Sequence, residues 1–268
     1  MDQNMDALRT AYLTLLRDTI INTIYDDPAI GEVARGKLAR RWLGRKFGLK
    51  GFDPARRDSG RDWPSVAHSM IGRQRMDNLI FALSEVVKAN VPGDFIETGV
   101  WRGGACIMAR GVLRAYGDTT RTIWVADSFE GLPPPDATKY AADRNDVHHE
   151  KTVLAVGLDA VQSNFRRYGL LDEQVRFLKG WFRDTLPSAP IQQLAVLRLD
   201  GDMYESTMDA LQALYHRVSP GGFVIVDDYH AVKACRKAVH DFMEAKYPDD
   251  LKGLTEIDGV GVFWQRRG

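Results

Sequence analysis

Residues 194–230 hold two short apolar runs that each end in acid: L-A-V-L-R-L-D-G-D-M-Y and, after S-P-G-G, F-V-I-V-D-D-Y-H. Asp200 and Asp202 close the first run, and Asp227 and Asp228 close the second. Apolar runs this short, bounded by turn residues and alternating with helical patterns, read as buried strands of a parallel sheet. In an open α/β sheet the ligand crevice lies beyond the carboxyl ends of the strands, so these four carboxylates meet in one cleft. Gathered like charges repel unless a cation or a proton holds them together. An all-oxygen donor set suits a hard divalent ion. Any one of these aspartates alone reads as a helix cap or a loop residue; the D-G-D and D-D pair together points to a metal site.

A second group of candidates follows the run 94–97. There the sharp loop T-G-V-W-R-G-G-A leads into an apolar helix that extends through Leu113. Strand, glycine turn and helix start make a cofactor cradle, because glycine lets backbone approach a ligand and the free N–H groups attract anionic atoms. The loop is not the G-x-G-x-x-G of dinucleotide folds, since Trp101 and Arg102 stand where that motif wants small residues. Glu97, just before the turn, would repel a pyrophosphate and suits a cationic ligand such as the amino group or sulfonium of S-adenosylmethionine. Asp127 ends the next apolar run, 122–126, about 30 residues after the glycine turn, where an acid accepts both ribose hydroxyls of an adenosine. Its bland reading is a turn cap. His148 and His149 lie in the long polar connection 131–150 and read as solvated rather than as ligands, while a connection of that length reads as a lid.

The elements that must position these residues follow from periodicity. Residues 6–25 carry apolar side chains at helical spacing and predict an amphipathic helix, stopped by Asp26-Asp27-Pro28. The stretch 35–62 is basic and rich in Gly and Pro, and reads as a mobile segment near the site or a solvated face. Met76, Leu79, Ile80, Leu83 and Val86 form one stripe of a helix within 69–90. Further helices are expected over 153–168, 206–217 and 233–246, with a strand at 175–182 and a turn at S-P-G-G, 219–222. Asp258-Gly259 between two strand-like runs signals a terminal hairpin. Five strands alternating with helices and closed by that hairpin give an α/β fold with a seven-stranded, mostly parallel, Rossmann-like sheet of the class I methyltransferase kind. The expected organisation is a helical and lid segment over 1–92 and a cofactor-binding domain over 93–268.

The chain has 268 residues, with 36 basic and 36 acidic side chains and zero net charge. That balance argues against an electrostatic nucleic-acid binder. Cys106 and Cys235 are the only cysteines and share no metal or redox spacing, which fits a reducing compartment. There is no signal-peptide core and no apolar run near the roughly 18 residues of a membrane helix, so a cytoplasmic protein with no membrane partner is expected.

With these residues in hand, the chain resembles the macrocin O-methyltransferase family (TylF type). The likeness is carried by I-Y-D-D-P (24–28), H-S-M-I-G-R-Q-R-M-D-N-L (68–79), F-I-E-T-G-V-W-R-G-G (95–104) and D-S-F-E-G-L-P-P-P-D (127–136). It continues through the run 154–187, L-R-L-D-G-D-M-Y-E-S-T (197–207) and V-D-D-Y-H-A-V-K-A-C-R-K-A-V (226–239). The resemblance implies a magnesium- and S-adenosylmethionine-dependent enzyme that methylates a sugar hydroxyl of a glycosylated natural product or its sugar-nucleotide precursor, and a homodimer. It implies that Asp200, Asp227 and Asp228 bind Mg2+ and that Asp202 is the general base. Glu97, Thr98, Gly99, Arg102 and Gly103 would contact the methionine part of the cofactor, with Ser69 and Met70 closing over it. Asp127 and Ser128 would hold the ribose, and Gly180 and Trp181 would lie along the adenine.

Three rivals compete with this reading. A catechol-type O-methyltransferase would use the same metal logic on a phenol. A nicotinamide oxidoreductase is disfavoured by the missing G-x-G-x-x-G and by the lack of a Tyr-x-x-x-Lys pair. A nucleic-acid module built on 35–62 is disfavoured because the acidic cleft would repel phosphate.

Overall fold

The first helix ends earlier than its apolar periodicity predicts. In the computed structural model, which describes residues 3–30 and 52–268, α1 spans Gln3–Ile20 and buries Leu13, Leu16 and Ile20. Asn22 adopts φ 51, and the N–H groups of Thr23 and Asn22 return to the carbonyls of Asp18 (3.0 Å) and Thr19 (3.2 Å). This left-handed stop closes the helix before Asp26-Asp27-Pro28 is reached. Asp27 is instead a buried acceptor, taking hydrogen bonds from Ser65 Oγ (2.6 Å) and the Ala67 N–H (2.8 Å).

The basic stretch is likewise not all solvated. Residues 31–51 lie outside the described residues, but α2, Pro54–Asp58, is capped by Asp53 and carries Arg57 inward. Arg57 is 1% exposed and donates to the Asp27 carbonyl (2.6 Å), the Ile21 carbonyl (3.1 Å) and Asp62 (3.0 Å). A fully desolvated guanidinium needs such a complete set of partners. Helix α3, Gly72–Lys88, buries Met76, Leu79, Leu83 and Val86 as the stripe predicts, while Ile80 is only partly buried.

Strand β1, Asp94–Thr98, passes through the glycine turn into α4, Gly104–Tyr116, whose residues 104–113 are all buried. A helix apolar on every side belongs inside the molecule. Next come β2, Ile123–Asp127, and the long connection, which carries short 3-10 turns at Ala141–Asp143, His148–Glu150 and Thr152–Leu154. Helix α5 begins only at Leu158, after Gly157, and runs to Arg167. Strand β3, Val175–Lys179, is followed by the short α6, Phe182–Thr185. Strand β4, Leu194–Leu199, α7, Tyr204–Leu214, and β5, Val218–Val226, make the next strand–helix–strand unit. Helix α8, Lys233–Lys246, the short α9, Pro248–Leu251, and the strands β6, Thr255–Glu256, and β7, Val262–Gln265, complete the described chain.

The seven strands are ordered β3-β2-β1-β4-β5-β7-β6. All neighbours up to β5 are parallel, and β7 adds antiparallel to β5 and to β6. The terminal hairpin is present, with Gly259 at φ 78 in its turn. S-P-G-G does not break the strand. It bulges within β5, where the pairing with β4 jumps from Leu194↔Val218 to Val196↔Phe223. The order reverses between β1 and β4, so the crevice opens above these two strand tips. One face of the sheet packs on α1, α3, α4 and α5, and the other on α7 and α8. No helix among the described residues is long and apolar enough to cross a membrane.

Candidate active site

The tips of β1, β2, β4 and β5 line one cavity of about 920 Å³. Three residues just past these tips, Trp101, Phe129 and Asp202, have positive φ of 46°, 59° and 57°. Such backbone persists in non-glycine residues only where the surroundings over-determine it, as they do at binding sites. Gly99 has φ 91, and a Cβ placed on it would lie 1.9 Å from the Asp200 carbonyl oxygen. The turn after β1 and the acidic tip of β4 thus touch through bare backbone.

At the donor end, Asp127 accepts the N–H groups of Val100 (2.8 Å) and Phe129 (2.7 Å), one on each carboxylate oxygen. A carboxylate has about four acceptor sites, so both oxygens keep capacity for a ligand's hydroxyls. Ser128 turns its Oγ to the Gly131 carbonyl (2.6 Å) and shapes the wall. Ser69 and Met70 lie against the start of α4, where a Cβ on Gly104 would meet the His68 carbonyl at 2.4 Å. Gly180 and Trp181 line the same cavity, and the Gly180 N–H donates to the Asp127 carbonyl (2.9 Å). Glu97 is buried and faces the cavity; burial, opposed by Arg198, pushes its pKa up to about 7.

Three of the expected cofactor residues are not among the described residues that line the cavity. Thr98 is buried at the end of β1 and donates to the Arg198 carbonyl (3.4 Å). Arg102 donates to the Ala67 (2.8 Å) and Pro64 (3.3 Å) carbonyls and stacks 4.1 Å over the Trp101 ring. Gly103 packs its α-carbon toward Val161 and Phe165 at the start of α4. Their side chains and contacts build the wall behind the cradle instead of facing into it.

At the acidic end, Asp200, Asp227 and Asp228 each offer a carboxylate oxygen, and these atoms lie within 4.8 Å of one another. Asp202 stands beside them and donates its backbone N–H to Asp228 (3.3 Å). Burial, then the charges of Asp202, Asp200 and Asp227, raise the Asp228 pKa well above the carboxylate range. Burial and Asp227 likewise raise Asp200, opposed by Arg198. Burial and Asp200 push Asp202 up to about 7, opposed by His148. A hard divalent cation fits this set: three clustered oxygens, a mutual repulsion that it would relieve, and Asp200 still 25% exposed toward the cavity.

Several residues of the site escaped the motif reading. Arg198 and Arg75 enter the acidic cluster from below, with Arg198 bonded to Glu97, Asp200 and Asp227 and Arg75 bonded to Asp227 and Asp258. The available signal was a charged residue interrupting the apolar run L-A-V-L-R-L. His148, expected to be solvated, lines the cavity and pairs through Nδ1 with Asp146 (2.7 Å). His68 lines it too and bonds Tyr168 (2.7 Å).

A model of the macrocin-O-methyltransferase (TylF) family matches residues 9–266. The chain belongs to the macrocin O-methyltransferase family. Among curated relatives, it is 53% identical over 258 residues, 96% of this chain and 93% of the relative, to the 8-demethyl-8-(2,3-dimethoxy-alpha-L-rhamnosyl)-tetracenomycin-C 4'-O-methyltransferase of Streptomyces olivaceus. It is 50% identical, over 95% of this chain and 93% of the relative, to the demethyldecarbamoylnovobiocin O-methyltransferase of Streptomyces niveus. Among solved structures, the O-methyltransferase NovP superposes with a TM-score of 0.87 at 48% identity, covering 97% of this chain and all of that one. This macrocin O-methyltransferase family member therefore has the class I methyltransferase fold that the strand pattern predicted, and it is an O-methyltransferase. The fold implies S-adenosylmethionine as its methyl donor.

Proposed function

We propose that this enzyme transfers the methyl group of S-adenosylmethionine to a sugar hydroxyl of a finished glycosylated natural product, with Mg2+ held by Asp200, Asp227 and Asp228. The observation that carries the reading is the meeting of two half-sites in one cavity: a cradle of Glu97, Gly99 and Asp127, and a four-carboxylate cluster at the neighbouring tips. In the donor half, Glu97 would take the amino group, Asp127 and Ser128 the ribose, and Trp181 the adenine. A relative named for a rhamnosyl group already attached to tetracenomycin C favours a glycoside acceptor over a sugar nucleotide.

The sulfonium is an activated donor, so the protein must align the reactants and make the hydroxyl nucleophilic. Alignment of bound reactants is worth about 7–11 kcal/mol in favourable systems. A bond forms from the hydroxyl oxygen to the methyl carbon as the carbon–sulfur bond breaks, leaving neutral S-adenosylhomocysteine. Asp202, whose carboxylate lines the cavity beside the acidic cluster, takes the hydroxyl proton. Bound magnesium would supply Lewis-acid lowering of the pKa of a chelated hydroxyl. His148, oriented by Asp146, faces the acceptor side of the same cavity.

Residues 1–92 read as the helical and lid portion and 93–268 as the cofactor-binding domain, with the two sharing one core face. Met5, Leu8 and Leu15 form an exposed apolar stripe on α1 that supports a homodimer, and the two buried free cysteines support a cytoplasmic setting. Mass spectrometry with labelled S-adenosylmethionine and a panel of deoxysugar glycosides, nucleotide sugars and a catechol tests the reading, in EDTA and after magnesium is restored. Label on a glycoside, only with the metal present, is the expected result. Label on the catechol alone, or undiminished turnover in chelator, would refute it.

A further inference from the structure

Arg198 is the next-to-last residue of β4, directly opposite Glu97 of β1 and Ile225 of β5 in the sheet register. It is 1% exposed in a strand that is otherwise apolar. A guanidinium at that depth is costly unless every face of its fork is paired. One carboxylate would neutralise it, yet it holds three. Its Nη1 is shared between Glu97 and Asp200, the latter at 2.6 Å, and its Nη2 bonds Asp227. Asp227's other oxygen is held by Arg75, which is anchored in turn on Asp258 at 2.9 Å. Glu97 belongs to the donor half of the cavity, and Asp200 and Asp227 to the acidic half. One rigid, planar group therefore spans both.

We propose that Arg198 is a positioning residue that couples the two half-sites, so that a divalent ion and the methionine end of the donor tighten each other's binding. The inference rests on the donor and metal reading above. A cation drawing on Asp200 and Asp227 weakens them as acceptors for the shared guanidinium, whose bonding then falls more fully on Glu97 and fixes its carboxylate. The ion also cancels the repulsion that Asp200 and Asp227 exert on Glu97, favouring the charged form that attracts an ammonium group. Direct repulsion between the ion and that ammonium has the opposite sign. Relief of Glu97 and repulsion of the ammonium are both Coulombic, so substitution at 198, and not the sign alone, distinguishes a path through Arg198. A lysine at 198 carries the charge but lacks the planar fork that bridges the three carboxylates.

Calorimetry with S-adenosylhomocysteine, in saturating magnesium and in EDTA, reads the coupling without turnover. Titration of Mn2+ followed by electron paramagnetic resonance, with and without S-adenosylhomocysteine, reads its reciprocal. The expected result is binding at least about five-fold tighter with the second ligand present, by the same factor in both directions. In Arg198→Lys both ligands still bind, and the factor falls to within about two-fold of unity. Equal or weaker S-adenosylhomocysteine binding with the metal present overturns the proposal in the wild type alone, whether or not the variant folds. Full coupling retained in Arg198→Lys overturns it as well. Mn2+ that does not bind at all removes the metal reading and the coupling together, whereas Mn2+ that binds without coupling removes only the latter.

Discussion

Asp202 holds a left-handed backbone at φ 57, its N–H spent on Asp228 and its carboxylate in the cavity. Asp202→Asn keeps that geometry and removes the proton acceptor, so kcat should fall by about 10²–10⁴-fold. Calorimetry should find S-adenosylhomocysteine binding within experimental reach of wild type; a kcat close to wild type would take the base role away. His68 offers a pH test. Burial, then Arg167 and Arg102, lower its pKa from 6.5 to about 4. Between those values the unfolded chain binds a proton that the folded one refuses, so stability is full above pH 6.5 and is lost as pH falls toward 4. With His68 partly exposed, the loss is about 1–2 kcal/mol after allowance for solvent screening. Urea midpoints at pH 7 and pH 4.5 should show it, and His68→Gln should lose less over the same interval. At this scale the sequence revealed acids better than bases. The four aspartates announce themselves by ending apolar runs, whereas Arg198 and Arg75 matter through partners that lie far away along the chain, and His148 through a cavity that its loop position does not reveal.

The long connection after β2 is fastened to α7, the element that follows the acidic turn, through Lys139 to Glu205 (3.1 Å) and through a buried cap. Asp143, almost wholly buried, accepts the N–H groups of Tyr204 (2.8 Å) and Glu205 (3.0 Å), and so caps α7 from outside the helix. Asp143→Ala should cost about 0.5–2 kcal/mol in denaturant unfolding, the usual range for a lost N-cap. On the proposed reading it should also raise KM for the acceptor more than for S-adenosylmethionine, because Asp143 fastens the connection to the helix that follows Asp202. Equal effects on both KM values would detach the loop from acceptor binding. Helix and strand periodicity located every strand of the sheet and its main helices. It failed at the ends: α1 stops on Asn22, α5 waits for Gly157, and S-P-G-G bulges inside β5. Each is a choice of backbone conformation made by tertiary contacts, to which hydrophobic spacing is blind.

Across the whole molecule, Arg57 joins the end of α1, the Asp27 segment and the residues after α2. Arg57→Met leaves Asp27 and Asp62 buried with a partner removed, and should destabilise the fold by about 3–5 kcal/mol. A denaturation midpoint unchanged from wild type would show that the N-terminal portion is held elsewhere. Fold class was legible because a parallel sheet imposes long apolar runs with polar ends; the route of the N-terminal portion was not, since one buried arginine in a basic stretch looks like its solvated neighbours. The close approach of Gly99 to the Asp200 carbonyl has a last consequence. The two halves of the cavity abut there on bare backbone, with no side chain for evolution or an engineer to trim. Acceptor preference can drift by rebuilding the rim, but the spacing between methyl source and recipient is fixed by main chain, and Gly99→Ala should abolish both halves at once.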